Sequence, residues 1–388
     1  MKNDATNSSI MKYGNRRLVL NIIRKKPVSR AGIARITGLT RAAVTIIVEE
    51  MLNEGLLIES GTGEAEFGRK PILLDINPNC FYAVGLSVTR HGCFTGIIDI
   101  KGNLLIKQKI DYDTRSEAGE CLGLIIDSIG QILDKSKLSA NKLLGIGIST
   151  PGPVDIHSGT ILNPPNFEVW NNMNMVREIK KSFDSNIYIE NNSTALALAE
   201  NYFGRGPEFN SFMLLVVDSG IGAGIIINDQ IYRGVGGFGS EVGHTTIDMN
   251  GKTCSCGNKG CLEVYASMPS ILDQLRRHGY DKTSWSSVVE GTLSGNTICN
   301  EIMDMEARYL SAGIVNAMNI LELEAVILTG DINYKPQMLI GQMRKYIENT
   351  AITRNIHNYQ IVSSSISENV EIISASSIII EKYFKGEI

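Results

Sequence analysis

The sequence predicts an α/β protein: a duplicated body of mixed strands and helices, preceded by a small basic module of helices and two strands. Three observations carry that reading. The first 75 residues follow the order helix, short helix, glycine, helix. From Tyr82 onward strands alternate with helices, and the plan is repeated. Late in the chain one histidine and three cysteines, His244, Cys254, Cys256 and Cys261, crowd into 18 residues.

Bulk composition narrows the function classes. A chain of 388 residues suits two or three domains, and 43% hydrophobic with 20% charged residues describes an ordinary globular protein. The polar N-terminus lacks the apolar core of a secretory signal. No run of about 18 apolar residues is present, so no membrane span is expected. Cys80, Cys93, Cys121 and Cys299 are scattered without a disulfide framework, which fits a reducing cytoplasm. Residues 1–75 carry 12 Lys+Arg against 8 Asp+Glu, and the remainder 25 against 33. A basic module on an acidic body is the charge pattern of a nucleic-acid-binding arm.

The N-terminal elements follow from local signals. Residues 15–26 predict a helix with Leu18, Ile22 and Ile23 inward, ended by Pro27. Ser29 caps a short helix over 30–37, with Ile33, Ala34 and Ile36 inward. Gly38 turns the chain, and Thr40 caps a third helix ending near Gly55, with Val44, Ile47, Val48 and Met51 buried. Strands at 56–60 and 71–76 flank a polar tip. This is the plan of a winged helix-turn-helix. Its candidate DNA contacts are Thr40, Arg41, Ala42 and Thr45 at the start of the third helix, where they would meet phosphates and base edges. Arg69 and Lys70 on the tip suit a narrow, A·T-rich minor groove. A small helical module for protein contact is the alternative.

In the body, strands are expected at 82–88, 92–100, 104–112 and 144–149, with a helix over 118–135. The second half repeats the scheme with strands at 212–217, 223–227 and 325–328 and a helix over 305–321. The expected domains are 1–78, 79–195 and 196–388, with the C-terminal helix packing back on the middle one.

Three thiols and one imidazole form the ligand set of a closed tetrahedral zinc site, with Gly257 and Gly260 supplying sharp turns. Such a site has no open position, so a structural Zn2+ is expected. A disulfide cluster or merely buried cysteines are the alternatives. Glu241 and Glu263 flank the loop.

These residues carry a resemblance. The stretch Glu241-Val-Gly-His244, followed by Cys254-Ser-Cys256-Gly-Asn-Lys-Gly-Cys261-Leu-Glu263, resembles the signature of the ROK family of repressors and sugar kinases, in particular its NagC/XylR-type repressor branch. The resemblance runs from about residue 12 to the C-terminus. It implies an actin/hexokinase-like (ribonuclease H-like) body with a central cleft. It also implies that Glu241, His244 and Glu263 bind sugar hydroxyls, with Asn191 and Asn192 of Glu190-Asn191-Asn192, and Gly152 of the Thr150-Pro151-Gly152-Pro153 loop, completing the effector site.

Departures from the kinases matter as much. Asn192 stands where the kinases carry the general-base Asp, and an amide cannot usefully accept the proton of an attacking hydroxyl. The first phosphate hairpin reads Gly85-Leu86-Ser87-Val88-Thr89-Arg90, without its Asp or Gly pair. The second phosphate turn reads Asp218-Ser219-Gly220-Ile221-Gly222, and Asp331 follows Gly330 in the adenosine region. The expected protein is therefore a non-catalytic, sugar-responsive repressor of carbohydrate-utilisation genes in the bacterial cytoplasm. Its expected partners are a sugar effector and an inverted-repeat operator with an A·T-rich flank, bound as a homodimer or dimer of dimers. A bifunctional sugar kinase and a regulator controlled by a protein partner are the rival readings.

Overall fold

The computed structural model describes residues 8–64, 70–90, 92–112, 116–165, 167–280, 284–350, 352 and 359–388. The chain divides into two compact units. One comprises Met1–Gly152, His157–Glu190 and Glu371–Ile388; the other comprises Pro153–Ile156 and Asn191–Val370.

The first unit opens with α1 (Ser8–Lys25), β1 (Val28–Ser29), α2 (Arg30–Thr37), α3 (Arg41–Asn53), β2 (Leu57–Thr62) and β3 (Ile72–Ile76). The caps form as the residue types dictate. Ser29 accepts from the Gly32 N–H and Thr40 from the Ala43 N–H, and Gly38 takes the left-handed conformation at φ 72°. Val44, Ile47, Val48 and Met51 are buried as expected. β1, too short to show in the sequence, pairs with β3, giving the sheet order β1-β3-β2.

The inward face of α1 differs from expectation. Val19, Leu20 and Ile23 are buried, whereas Leu18 is 44% exposed. The helix starts earlier than residue 15 and bonds to the C-terminal segment: Asn21 Nδ2 donates to the Phe384 carbonyl at 3.1 Å, and the Arg24 guanidinium lies over the Phe384 ring. That second neighbour rotates the buried stripe. Ile36 of α2, expected inward, is 59% exposed.

The rest of this unit comprises β4 (Tyr82–Thr89), β5 (Gly92–Asp99), β6 (Leu104–Ile110), α4 (Ala118–Ser136), β7 (Leu143–Thr150), then the two-residue strands β8 (Val154–Asp155, in the second unit), β9 (Thr160–Ile161) and β10 (Met173–Asn174), α5 (Met175–Lys180) and β11 (Ile187–Asn191). Its main sheet has the order β11-β7-β4-β5-β6. Gly96, Gly85 and Gly147 stand opposite one another on three neighbouring strands. The C-terminal helix lies on this bare lane. A Cβ at Gly147 would fall 2.0 Å from the Ala375 carbonyl oxygen, and one at Gly85 2.6 Å from that of Ile372. Only glycine permits so close an approach of helix to sheet.

The second unit repeats the plan. It contains α6 (Asn192–Phe203), β12 (Phe212–Val217), β13 (Ile221–Ile227), β14 (Gln230–Tyr232), α7 (Glu263–Ala266), α8 (Met268–Arg277), α9 (Trp285–Leu293), α10 (Thr297–Leu321), β15 (Ala325–Gly330), α11 (Gln337–Thr350) and β16 (Gln360–Ser363). Helix α12 (Val370–Lys385) follows and completes the first unit. The sheet order is β14-β13-β12-β15-β16, with β12 antiparallel to β13 and parallel to β15. The first sheet likewise pairs β4 antiparallel with β5 and parallel with β7, so the duplication is real in topology. Helix α10 begins eight residues before the expected start at 305, because Asn296 caps it through the Cys299 N–H.

Candidate functional site

The chain reaches the metal-ligand cluster through a short 3-10 turn, Val242–His244, and a loop pinned by its own backbone. The Leu262 N–H donates to the Thr245 carbonyl at 2.9 Å, and the Cys254 N–H to the Asn258 carbonyl at 2.8 Å. Isolated bridges pair Thr246 with Cys261 and Thr253 with Lys259. Gly257 and Gly260 take φ of 91° and 69°, the conformation expected of them. At Gly260 a Cβ would lie 1.7 Å from the Asp248 carbonyl oxygen, so no other residue fits there.

This loop brings His244, Cys254, Cys256 and Cys261 together, their ligand atoms all within 4.8 Å of one another. His244 Nδ1 is 3.6 Å from Cys254 Sγ, and Cys256 Sγ is 3.7 Å from Cys261 Sγ. Tetrahedral bonds of about 2.3 Å from one metal to each sulfur would separate sulfurs by about 3.7 Å. The geometry can hold a metal ion. Burial and the neighbouring thiols push the Cys261 thiol up to about 12, whereas the Asn258 N–H draws the Cys256 thiol down. Thiolates so close repel one another, and a cation is what would let them ionise together. With Nδ1 turned to the sulfurs, Nε2 of His244 is left to meet another group.

The candidate effector residues gather around the neighbouring turn. Glu263 Oε2 accepts from the Ile221 N–H at 2.9 Å, and a Cβ on Gly220 would lie 2.7 Å from that oxygen. A Cβ on Gly222 would lie 2.1 Å from Ser193 Oγ, so the start of α6 meets the same turn. Asn191 caps α6, its Oδ1 accepting from the Ser193 N–H at 2.8 Å; Asn192 Oδ1 shares that donor at 3.0 Å. Glu241 is exposed, yet lost solvation pushes its carboxyl pKa up; His244 pulls it down and Glu263 raises it again. The two carboxylates and His244 are thus within electrostatic reach. Gly152 lies in the other unit, on the loop after β7, half-buried.

Asp218 and Asp331 follow the paired ends Val217 and Gly330 of β12 and β15. The carboxyl of Asp331 is pushed up by lost solvation, then by the charge of Asp218 and a hydrogen bond between the two side chains. Two acids therefore meet where the resemblance places nucleotide.

Among the candidate DNA contacts, Thr40, Arg41, Ala42 and Lys70 are exposed and Thr45 is half-buried; Arg69 lies outside the described residues. The Thr40 hydroxyl is engaged in capping, and Thr45 Oγ1 donates to the Arg41 carbonyl at 2.8 Å. Ile46, which the sequence reading did not single out, is 56% exposed on the same helix. An isoleucine at a position outside the buried Val44, Ile47, Val48 stripe was the available signal.

A family model described as the ROK family matches residues 83–382. The chain belongs to the ROK family. It is 30% identical over 382 residues to the xylose repressor of Bacillus spizizenii, covering 98% of each chain. A crystal structure described as a ROK family transcriptional regulator, homologous to the Escherichia coli MLC protein, is similar at a TM-score of 0.80 and 25% identity, covering 97% of each chain. ROK hexokinase from Thermus thermophilus shares the fold, with a TM-score of 0.69 at 21% identity over 79% of this ROK chain and 99% of its own. Among the described residues of this ROK protein, no helix is long and apolar enough to cross a membrane.

Proposed function

We propose that this chain is a sugar-responsive, DNA-binding repressor of carbohydrate-utilisation genes whose kinase-like body no longer phosphorylates. What supports the reading is a set of residues suited to sugar hydroxyls beside an amide where the resemblance expects a base. Glu241, His244 and Glu263 keep carboxylates and an imidazole around one turn, while Asn192 offers only an amide in place of the Asp. The relative named for xylose makes that pentose the first effector to test.

The metal loop supports the sugar set physically. His244, Cys254, Cys256 and Cys261 would hold one Zn2+ in a closed site, fixing the His244 ring and the chain on either side of it. Zinc held there would supply rigidity, a closed site leaving no open position for bond making. Asn191 and Asn192 add effector contacts from the same unit in this reading, and Gly152 is the further candidate that the resemblance implies.

Two features weigh against ATP. The Ile221 amide, part of the would-be phosphate turn, is already bonded to Glu263. Asp218 and Asp331 place negative charge at the adjoining strand ends. A phosphate there would meet repulsion and a donor already taken.

The N-terminal module would dock α3 in a major groove, with Thr40, Arg41, Ala42 and Thr45 at its leading turn and Arg69 and Lys70 on the wing. An inverted-repeat operator needs two such modules, so a homodimer or dimer of dimers is the working assembly. Gel-shift titration against an inverted repeat, with and without xylose and other common sugars, tests the whole reading. Affinity equal for operator and scrambled DNA at every salt concentration would sink it.

A further inference from the structure

A cavity lies beside the metal loop. It measures about 260 Å³, and Lys252, Arg277 and His278 bring basic groups to it while Tyr265, Tyr309 and Met305 line its apolar side. No acid lines it. We infer that this cavity binds a small organic anion, a phosphate monoester with a compact apolar or ring-shaped body, and that its occupancy bears on the metal loop.

The charges are available to a ligand. Arg277 pairs with Asp273 at 2.6 Å, but both side chains are largely exposed and such a pair is worth little. Lys252 Nζ rests 5.1 Å above the Tyr265 ring, an exposed cation–π contact that a dianion would readily outcompete. Tyr265 and Tyr309, their centroids 5.1 Å apart, offer flat surface to the carbon body. The volume is below the usual range for larger ligands, which restricts the occupant to a small metabolite.

The link to the metal loop is covalent and short. Lys252 stands two residues before Cys254. Its N–H donates to Tyr265 Oη at 2.8 Å, and its carbonyl accepts from the Gly260 N–H at 2.8 Å. A Cβ at Gly251 would lie 1.9 Å from the same Oη, so the loop is seated directly on this tyrosine. Drawing Lys252 toward an anion therefore acts on the chain that holds Cys254.

Isothermal titration of the metal-loaded full chain tests the site, with phenyl phosphate, inorganic phosphate and uncharged phenol as probes. One saturable phenyl phosphate site per chain is expected, tighter than inorganic phosphate, with no binding of phenol. The double variant Lys252→Gln/Arg277→Gln should bind about tenfold more weakly, while a charge-matched control, Lys107→Gln/Lys109→Gln on β6, should bind as the wild type does. Metal content of each variant, measured alongside, shows that the loop is intact. Absence of saturable binding, or equal weakening in the control, overturns the site. The coupling rests directly on the metal reading: phenyl phosphate should slow metal transfer to a chromogenic chelator in the wild type alone, and an unchanged rate overturns the coupling. None of these measurements uses DNA or sugar, so their outcome is independent of the repressor reading.

Discussion

Glu263 Oε2 accepts a hydrogen bond from the Ile221 N–H at 2.9 Å, tying the residue two places after Cys261 to the turn between β12 and β13. One carboxylate oxygen is thereby committed to the backbone, and in the proposed reading the other meets the sugar. Glu263→Ala should release that turn and remove a charged acceptor. Sugar affinity is expected to fall at least tenfold, consistent with the roughly 1.5–3 kcal/mol of a hydrogen bond to a charged group, while metal content stays at wild-type level. Calorimetry with the effector and metal analysis on the same samples separate the two effects. Unchanged affinity would place Glu263 in a purely structural role.

Metal analysis should find about one zinc per chain, the stoichiometry of a single Cys3His site. Cys256→Ala, removing the exposed ligand, is expected to lose the metal and the sugar response together. Gly260→Ala should do the same without touching a ligand, because its Cβ has no room against the Asp248 carbonyl. Full zinc occupancy in Gly260→Ala would contradict the geometry described for the loop.

No sugar-dependent ATP turnover is expected from the wild type in a coupled assay. Asn192→Asp restores a base in name only, since the Ile221 amide remains occupied and Asp218 and Asp331 remain in place. That variant should also be inactive. Ordinary kinase rates in either protein would overturn the non-catalytic reading.

Arg41→Ala should weaken operator binding by about 1–3 kcal/mol if the guanidinium reads a base, and relax discrimination at one position. If Ile46 packs on a thymine methyl, Ile46→Ala should cost affinity on the native operator yet little on one in which thymine facing the helix is replaced by uracil, because only the thymine methyl distinguishes them. Gel shifts over a salt series should show a steep fall in binding from phosphate contacts. An Ile46→Ala loss of the same size on both operators would exclude methyl recognition.

Glu306 of α10 is buried, its Oε1 has no hydrogen-bond partner, and desolvation raises its pKa well above the ordinary carboxylate value. An acid that binds its proton more tightly when folded contributes its full stability below the unfolded pKa. That contribution is lost as pH rises through the folded pKa. Glu306→Met, similar in length and without polar atoms, should therefore raise the unfolding midpoint at pH 7 and raise it less at pH 5. Chemical denaturation at both pH values measures this, and an equal gain at each would assign the effect to packing alone.

Local chemistry was legible in the sequence. Capping side chains at Ser29 and Thr40, the buried stripe of α3, the strand at 212–217 and the spacing of the four metal ligands all depend on residues close in the chain, and the structure has them where the residues imply. The ROK signature lies within one such stretch, which is why the family is legible in the sequence alone. Tertiary structure decided what depends on distant partners. The C-terminal helix, set close to the first sheet by the Gly96, Gly85 and Gly147 lane, meets α1 and exposes Leu18 while burying Val19. Strand β1 exists only because β3 offers it a partner 44 residues away at Ser29↔Leu73. The Glu263–Ile221 bond, the Asp218–Asp331 encounter and the cavity at Lys252 likewise join segments far apart in sequence. Hydrophobic burial and hydrogen bonding act in space, and periodicity along a chain records only the neighbours a residue has on its own element.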